Sequence, residues 1–176
     1  MKPSVRHKDH AEEQLLDVFA FGSNLDPTDF NAWCKREAGL TPVMSPQFRG
    51  WLRGYRLCWD YFSPVRQGGA ANIVVDNQAA VAGVVFRVDP ATLRALDQKE
   101  GHPERYRRIR VEVQSMTEPT SRSWVWTYSV TERYRRDEPV PPTRAYLDVM
   151  LRGIETQELP DSWRDVVLAS VEALER

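Results

Sequence analysis

Cysteine is scarce in this chain: Cys34 and Cys58 are the only two among 176 residues, and they lack metal-type spacing. A disulfide scaffold and a zinc site are both disfavoured. Lysine is scarce as well, standing only at positions 2, 8, 35 and 99, so Arg carries most of the positive charge. Neither sign of charge dominates: 24 basic residues face 25 acidic ones, for a net charge of −1. That balance argues against a polyanionic partner such as a nucleic acid. No apolar run approaches the ~20 residues of a membrane span. Met1 to Glu13 is polar and has no apolar segment of the kind a secretory signal needs. These absences lead to the expectation of a reduced, cytoplasmic protein with no nucleic-acid or membrane partner, acting as a monomer or homodimer.

What is present is ordinary for a globular protein, at 41% hydrophobic and 28% charged residues. Residues 1–13 read as a loose tail and 14–176 as one domain, long enough to bury a core. Leu15 to Phe21 reads as a buried strand, and Asp26 to about Ala38 as a short helix. Trp51 to Phe62 reads as extended, followed by a loop from Ser63 to Ala71. Two strands are then expected, Asn72–Asp76 and Ala79–Val88. A helix follows from Asp89 to Glu100, with Asp89 as N-cap and Gly101 as the stop. Tyr106–Val113 and Ser123–Val130 are further strands, the second presenting Trp124, Trp126, Tyr128 and Val130 on one face. A helix from Thr143 carries Leu147, Met150, Leu151 and Ile154. A last helix opens at Pro160 or Asp161, with Trp163, Val166, Val167, Ser170 and Leu174 as its apolar stripe. Many strands with few helices imply an α+β fold around a curled or closed sheet.

Two local features carry chemistry. The first is Phe19-Ala20-Phe21-Gly22-Ser23-Asn24-Leu25, a strand that stops at a turn and feeds a helix. Gly22 can take positive φ, and Ser23 and Asn24 favour turns. Asp26 suits an N-cap with Pro27 at the first helical position, and Leu25 and Phe30 suit a hydrophobic staple. Free N–H groups beside the positive end of a helix can hold an anion such as a carboxylate. The bland alternative is that any strand-turn-helix junction has this look.

The second feature is Glu100. Leu93, Leu96 and Glu100 share one helix face, so Glu100 stands where an apolar residue is expected, and in the last turn. Burial and the negative end of the helix dipole both disfavour a charged carboxylate, which suits a general acid/base. The alternative is a rim position, with Glu100 turned to solvent or paired with Arg105 or Arg107.

Together these residues resemble the γ-glutamylcyclotransferase family. Its aromatic-x-aromatic-Gly-Ser-Asn-Leu loop is matched by Phe19 to Leu25, and its Leu-Asp-x-x-Glu-Gly segment by Leu96 to Gly101. Gly68-Gly69-Ala70-Ala71-Asn72-Ile73, Gly83-Val84-Val85, Tyr106, Pro141-Pro142-Thr143-Arg144-Ala145-Tyr146 and Gly153 to Leu159-Pro160 match further family segments, in order. One departure is Phe21, where the family often has Tyr, so a hydroxyl is lost there.

The resemblance implies a small mixed β-barrel of about five to seven strands with flanking helices. It implies release of 5-oxoproline from a γ-glutamyl amino acid or γ-glutamyl amine, by attack of the substrate's own α-amine on its γ-carbonyl. Such a reaction needs no cofactor and no metal. Glu100 would be the general acid/base. Val18, Phe19, Ala20, Phe21, Gly22, Ser23 and Asn24 would cradle the substrate, and Tyr146 would close the pocket; read from spacing alone, Tyr146 is plain core.

Three rivals stand beside this reading. Ser23 as a nucleophile would need a base, and the histidines are His7 and His10 in the tail and His102 in a loop. No Gly-x-Ser-x-Gly elbow surrounds it. The Arg-rich runs Arg105–Arg110 and Arg133–Arg136 could suggest nucleic-acid binding, which the net charge opposes. A non-catalytic member that keeps the fold and a small-ligand pocket is the third, and the retained Glu100 speaks against it.

Overall fold

A computed structural model describes residues 14–174. The expected tail, residues 1–13, lies outside them. Five strands form a closed barrel in the order β1-β3-β2-β4-β5. They are β1 (Leu16–Ala20), β2 (Met44–Ser63), β3 (Gly68–Val88), β4 (Tyr106–Ser115) and β5 (Arg122–Val130). Neighbours are antiparallel except β1 and β5, which run parallel and close the barrel through Val18 and Trp126. Four helices flank it: α1 (Pro27–Trp33), α2 (Pro90–Glu100), α3 (Arg144–Thr156) and α4 (Asp161–Glu172). The expected α+β mixed barrel is the fold observed.

The β2–β3 hairpin differs from the sequence reading. Gly68 to Ala71 belong to β3 rather than to a loop, and the two strands expected over 72–88 are one. β2 and β3 pair from Met44 opposite Val88 to Ser63 opposite Gly68. Asn77 and Gln78 look like a turn in isolation, and the ladder is interrupted there: Val75 pairs with Tyr55 and Ala80 with Arg53, so Asp76 to Ala79 bulge opposite Gly54, and the Asp76 carboxylate accepts from the Gln78 N–H at 3.0 Å. Three irregularities in this ladder, at Pro46/Phe48, Arg53/Tyr55 and Cys58/Tyr61, let the ribbon bend around the barrel.

Val81 to Phe86 are buried without interruption, as in a strand covered on both faces. On β5 Tyr128 and Val130 of the expected face are buried while Trp124 near the strand's start is exposed, and Val125 and Thr127 of the opposite face are buried as well, so both faces are covered toward the strand's end. In α4 the buried stripe is Trp163, Val167 and Val171, and Val166 faces outward. The α1 helix ends at Trp33 and continues as a wider π-type turn over Cys34–Ala38, stopping at Gly39 in the left-handed region.

Asp26 anchors the strand-to-helix junction. Its carboxylate accepts from the N–H groups of Thr28 (2.9 Å) and Asp29 (3.4 Å), and Arg152 of α3 donates to it at 3.0 Å. Leu25 and Phe30, the staple pair, are both fully buried. Asp26→Ala removes the cap and leaves Arg152 unpaired, so it should cost about 2 kcal/mol, or roughly 4–8 °C in Tm. Thermal denaturation checks this; a change under ~2 °C contradicts it.

Candidate functional site

One pocket opens where the end of β1, the start of β3, the end of α2 and the start of α3 meet. Strand β1 delivers Phe19, Ala20 and Phe21, and the next residues turn away. Ser23 to Leu25 form one turn of 3-10 helix, closed by Leu25 N–H on the Gly22 carbonyl (3.0 Å) and Asp26 N–H on the Ser23 carbonyl (3.2 Å). Among the described residues no partner is seen for the N–H groups of Gly22, Ser23 and Asn24. Successive free N–H groups in a turn are a recurrent means of binding an anion.

Two expectations about this turn need correction. Gly22 has φ −111°, so positive φ is not why glycine stands here. An added Cβ would lie 3.4 Å from Ala71 Cβ and 3.5 Å from the Tyr146 hydroxyl, ordinary contact distances, so neither backbone conformation nor a clash requires glycine there. Nor are the free N–H groups those of the helix end, because Asp26 consumes the Thr28 and Asp29 donors. They belong to the 3-10 turn itself.

Helix α2 brings Glu100 to the same turn. The Asn24 side-chain amide donates to Glu100 Oε1 at 2.8 Å. Glu100 lies in no ion pair among the described residues, so the proposed Arg105 or Arg107 bridge is not made. The buried stripe of α2 is Thr92, Leu93, Ala95 and Leu96. It ends on two ionisable residues rather than one, because the Lys99 side chain is only 8% exposed. Lys99 Nζ donates to Ser23 Oγ at 3.0 Å and to Asn24 Oδ1 at 2.6 Å. Burial pushes its pKa below the usual lysine value, while the charges of Glu100 and Asp29 pull the other way. Sequence reasoning passed over Lys99, although Thr92, Leu96 and Lys99 fall at i, i+4 and i+7, which marks a stripe ending on it.

Tyr146 is delivered by the first turn of α3, capped by the Thr143 side chain. It is buried, and its hydroxyl accepts from the Ala71 N–H of β3 at 3.2 Å. Its pKa is pushed up to about 12, chiefly by burial, so it stays a phenol with a proton to give. Tyr106 and Tyr128 are raised by burial as well, but their protons are committed. Tyr106 donates to the Ala71 carbonyl (3.0 Å) and Tyr128 to Asp97 (2.7 Å). Arg66, from the β2–β3 turn, lies over the Tyr146 ring at 5.5 Å and is held by Asp29 at 2.7 Å. Arg66 and Tyr61, both at the pocket wall, carried no local signal in the sequence.

Of the residues singled out from sequence, Phe19, Ala20, Phe21, Gly22, Ser23, Asn24, Glu100 and Tyr146 line this pocket. Val18 does not. It is buried in the barrel wall, paired with Phe86 and Trp126, because strand alternation turns it away from Phe19. His102 accepts from the Arg108 N–H and lies beside Tyr128, so it is no partner for Ser23. His7 and His10 lie outside the described residues. No group of three His, Cys, Asp or Glu residues among the described ones is arranged to hold a metal ion. None of the described helices is long and apolar enough to cross a membrane.

Comparison with known proteins bears on the family and the fold. The family model for gamma-glutamyl cyclotransferase, AIG2-like, matches residues 18–148. A solved gamma-glutamyl cyclotransferase superposes with a TM-score of 0.74 at 22% identity, covering 89% of this chain and 88% of that one. An uncharacterised protein of Homo sapiens gives 0.74 at 23%, with the same coverage. YkqA from Bacillus subtilis gives 0.71 at 21%, over 89% of this chain and 54% of its own. At these identities the structural likeness speaks for the fold. No curated protein matches the chain significantly.

Proposed function

Because this chain belongs to the gamma-glutamyl cyclotransferase, AIG2-like family, we propose that it releases 5-oxoproline from a γ-glutamyl amino acid or γ-glutamyl amine. The observation that carries this reading is the meeting of Glu100 with the Gly-Ser-Asn turn: a carboxylate 2.8 Å from the Asn24 amide, beside three unpaired backbone N–H groups.

The substrate's α-amine attacks its own γ-carbonyl, so the enzyme must hold the chain curled and move protons. Glu100 Oε1 is engaged by Asn24, which leaves Oε2 to take a proton from the α-ammonium and return it to the leaving amine. The N–H groups of Gly22, Ser23 and Asn24 stabilise the oxyanion or hold the glutamyl carboxylate. The Tyr146 phenol, whose oxygen already accepts from Ala71, donates into the pocket. The missing hydroxyl at Phe21 leaves the turn's role on its backbone; Phe21 packs on Phe19 with centroids 6.4 Å apart.

The test is a panel of γ-glutamyl compounds incubated with the purified protein with and without EDTA, read by mass spectrometry. The expected result is 5-oxoproline from at least one compound, undiminished by EDTA. A broad panel that yields none sinks the catalytic reading in favour of a ligand-binding pocket.

A further inference from the structure

Lys99 and Glu100 are neighbours in the chain, and they grip opposite ends of one side-chain amide. Lys99 Nζ donates to Asn24 Oδ1 (2.6 Å), and Asn24 Nδ2 donates to Glu100 Oε1 (2.8 Å). An ammonium has only hydrogens to offer and an ionised carboxylate only lone pairs. The Asn24 amide is therefore locked: turned over, it would set N–H₂ against the ammonium and a carbonyl against the carboxylate, losing both bonds.

We infer that Lys99 is a positioning residue, which acts through the Asn24 amide to hold the Glu100 carboxylate in one orientation against the Gly-Ser-Asn turn. This rests on the cyclotransferase reading for its kinetic consequence, but the amide lock itself does not.

The surroundings agree. Lys99 is nearly buried on α2, and what faces it across the cluster is Ser23 and Asn24 from the turn, Asp29 from α1 (4.0 Å), Arg66 from the β2–β3 turn and the Cys34 thiol. Facing Glu100 are Arg66 and the phenols of Tyr61, Tyr106, Tyr128 and Tyr146, with Arg105 at the same pocket wall. Among these groups Asn24 is the one shared by Lys99 and Glu100 through hydrogen bonds at both ends. Lys99 lies 3.0 Å from Ser23 Oγ, yet it is ill suited as a base for that hydroxyl. A base must offer a lone pair, and this amine is directed as a donor to both Ser23 and Asn24.

A buried ammonium costs desolvation free energy, which argues for a role that an apolar side chain could not fill. Lys99→Met keeps an unbranched apolar stem only one atom shorter and removes the ammonium donors. It should lower kcat by about 10²-fold, the scale expected for a misplaced catalytic group, with KM changed less than about threefold. Lys99→Gln, which keeps a neutral donor, should lose less.

If Lys99 acts through Asn24, its loss should add nothing once the amide is gone. The Lys99→Met, Asn24→Ala double variant should then match Asn24→Ala alone within about twofold. Losses that multiply overturn the proposal. The second readout needs no turnover. In isotope-labelled protein, hydrogen exchange of the Asn24 side-chain amide should be at least ~10-fold faster in Lys99→Met than in the parent, because its orientation is no longer held. An unchanged exchange rate overturns the proposal even if activity falls. If the parent protein turns over no γ-glutamyl compound, the cyclotransferase reading fails, and amide exchange alone decides the role of Lys99.

Discussion

Glu100→Gln is expected to lower 5-oxoproline release by roughly 10³-fold, within the range that general acid/base groups contribute, while the protein stays folded. The substitution isolates the chemistry. A glutamine carbonyl can still accept from the Asn24 amide, so the contact to the turn survives. What is lost is the ability to take and return a proton, and among the described residues no other carboxylate lines the pocket. Ser23→Ala gives the contrast. The Ser23 hydroxyl accepts from Lys99 and has no imidazole partner among the described residues, so its loss should cost less than about tenfold. Steady-state kinetics with mass-spectrometric detection of 5-oxoproline decides between them. Full activity in Glu100→Gln together with an inactive Ser23→Ala would reverse the assignment and make Ser23 the nucleophile.

Gly153→Val should be strongly damaging although Gly153 does not line the pocket. Gly153 lies in α3, and a Cβ there would stand 2.6 Å from Leu25 Cβ and 2.9 Å from the Asp26 backbone nitrogen. Those are backbone and core atoms with little freedom to retreat: Leu25 is fully buried and Asp26 is held by Arg152 from the same helix. Overpacking of this kind costs about 3 kcal/mol, or roughly 6–12 °C in Tm for a chain of this size. The helix would also push the 3-10 turn that carries Ser23 and Asn24, so kcat/KM should fall along with stability. Gly153→Ala meets the same close contact without the extra methyl groups and regains about 1 kcal/mol of helix propensity, so it should be milder. Melting curves and kinetics on both variants check this. A Gly153→Val protein with Tm within ~2 °C of the parent and unchanged kcat/KM would show that the turn does not depend on this contact.

Both predictions concern a site assembled from distant segments, and its parts differ in how readable they were. The turn from Phe19 to Leu25, the cap at Asp26, the staple of Leu25 and Phe30 and the α2 stop at Gly101 all follow from local rules. Each depends on residues within about six positions of one another. Such features are written in the chain directly. Errors arose where a local rule met a distant partner. Gly68 to Ala70 look like a loop in isolation but belong to β3 because β2 pairs alongside them, and on β5 Trp124 is exposed while Tyr128 and Val130 of the same face are buried.

Sequence by itself determined β1, β4, β5, the turn and the presence of a carboxylate on the inner side of α2. Hydrophobic period, caps and turn residues act over short range and need no partner to be read. Only the tertiary structure decided what Glu100 faces, which N–H groups remain free, that Val18 turns away from the pocket, and that Lys99 and Glu100 hold one amide between them. Those facts depend on barrel closure, which brings residues 24 and 100 within 2.8 Å, and no pattern along the chain encodes the distance between two faces that meet only after the sheet has curled.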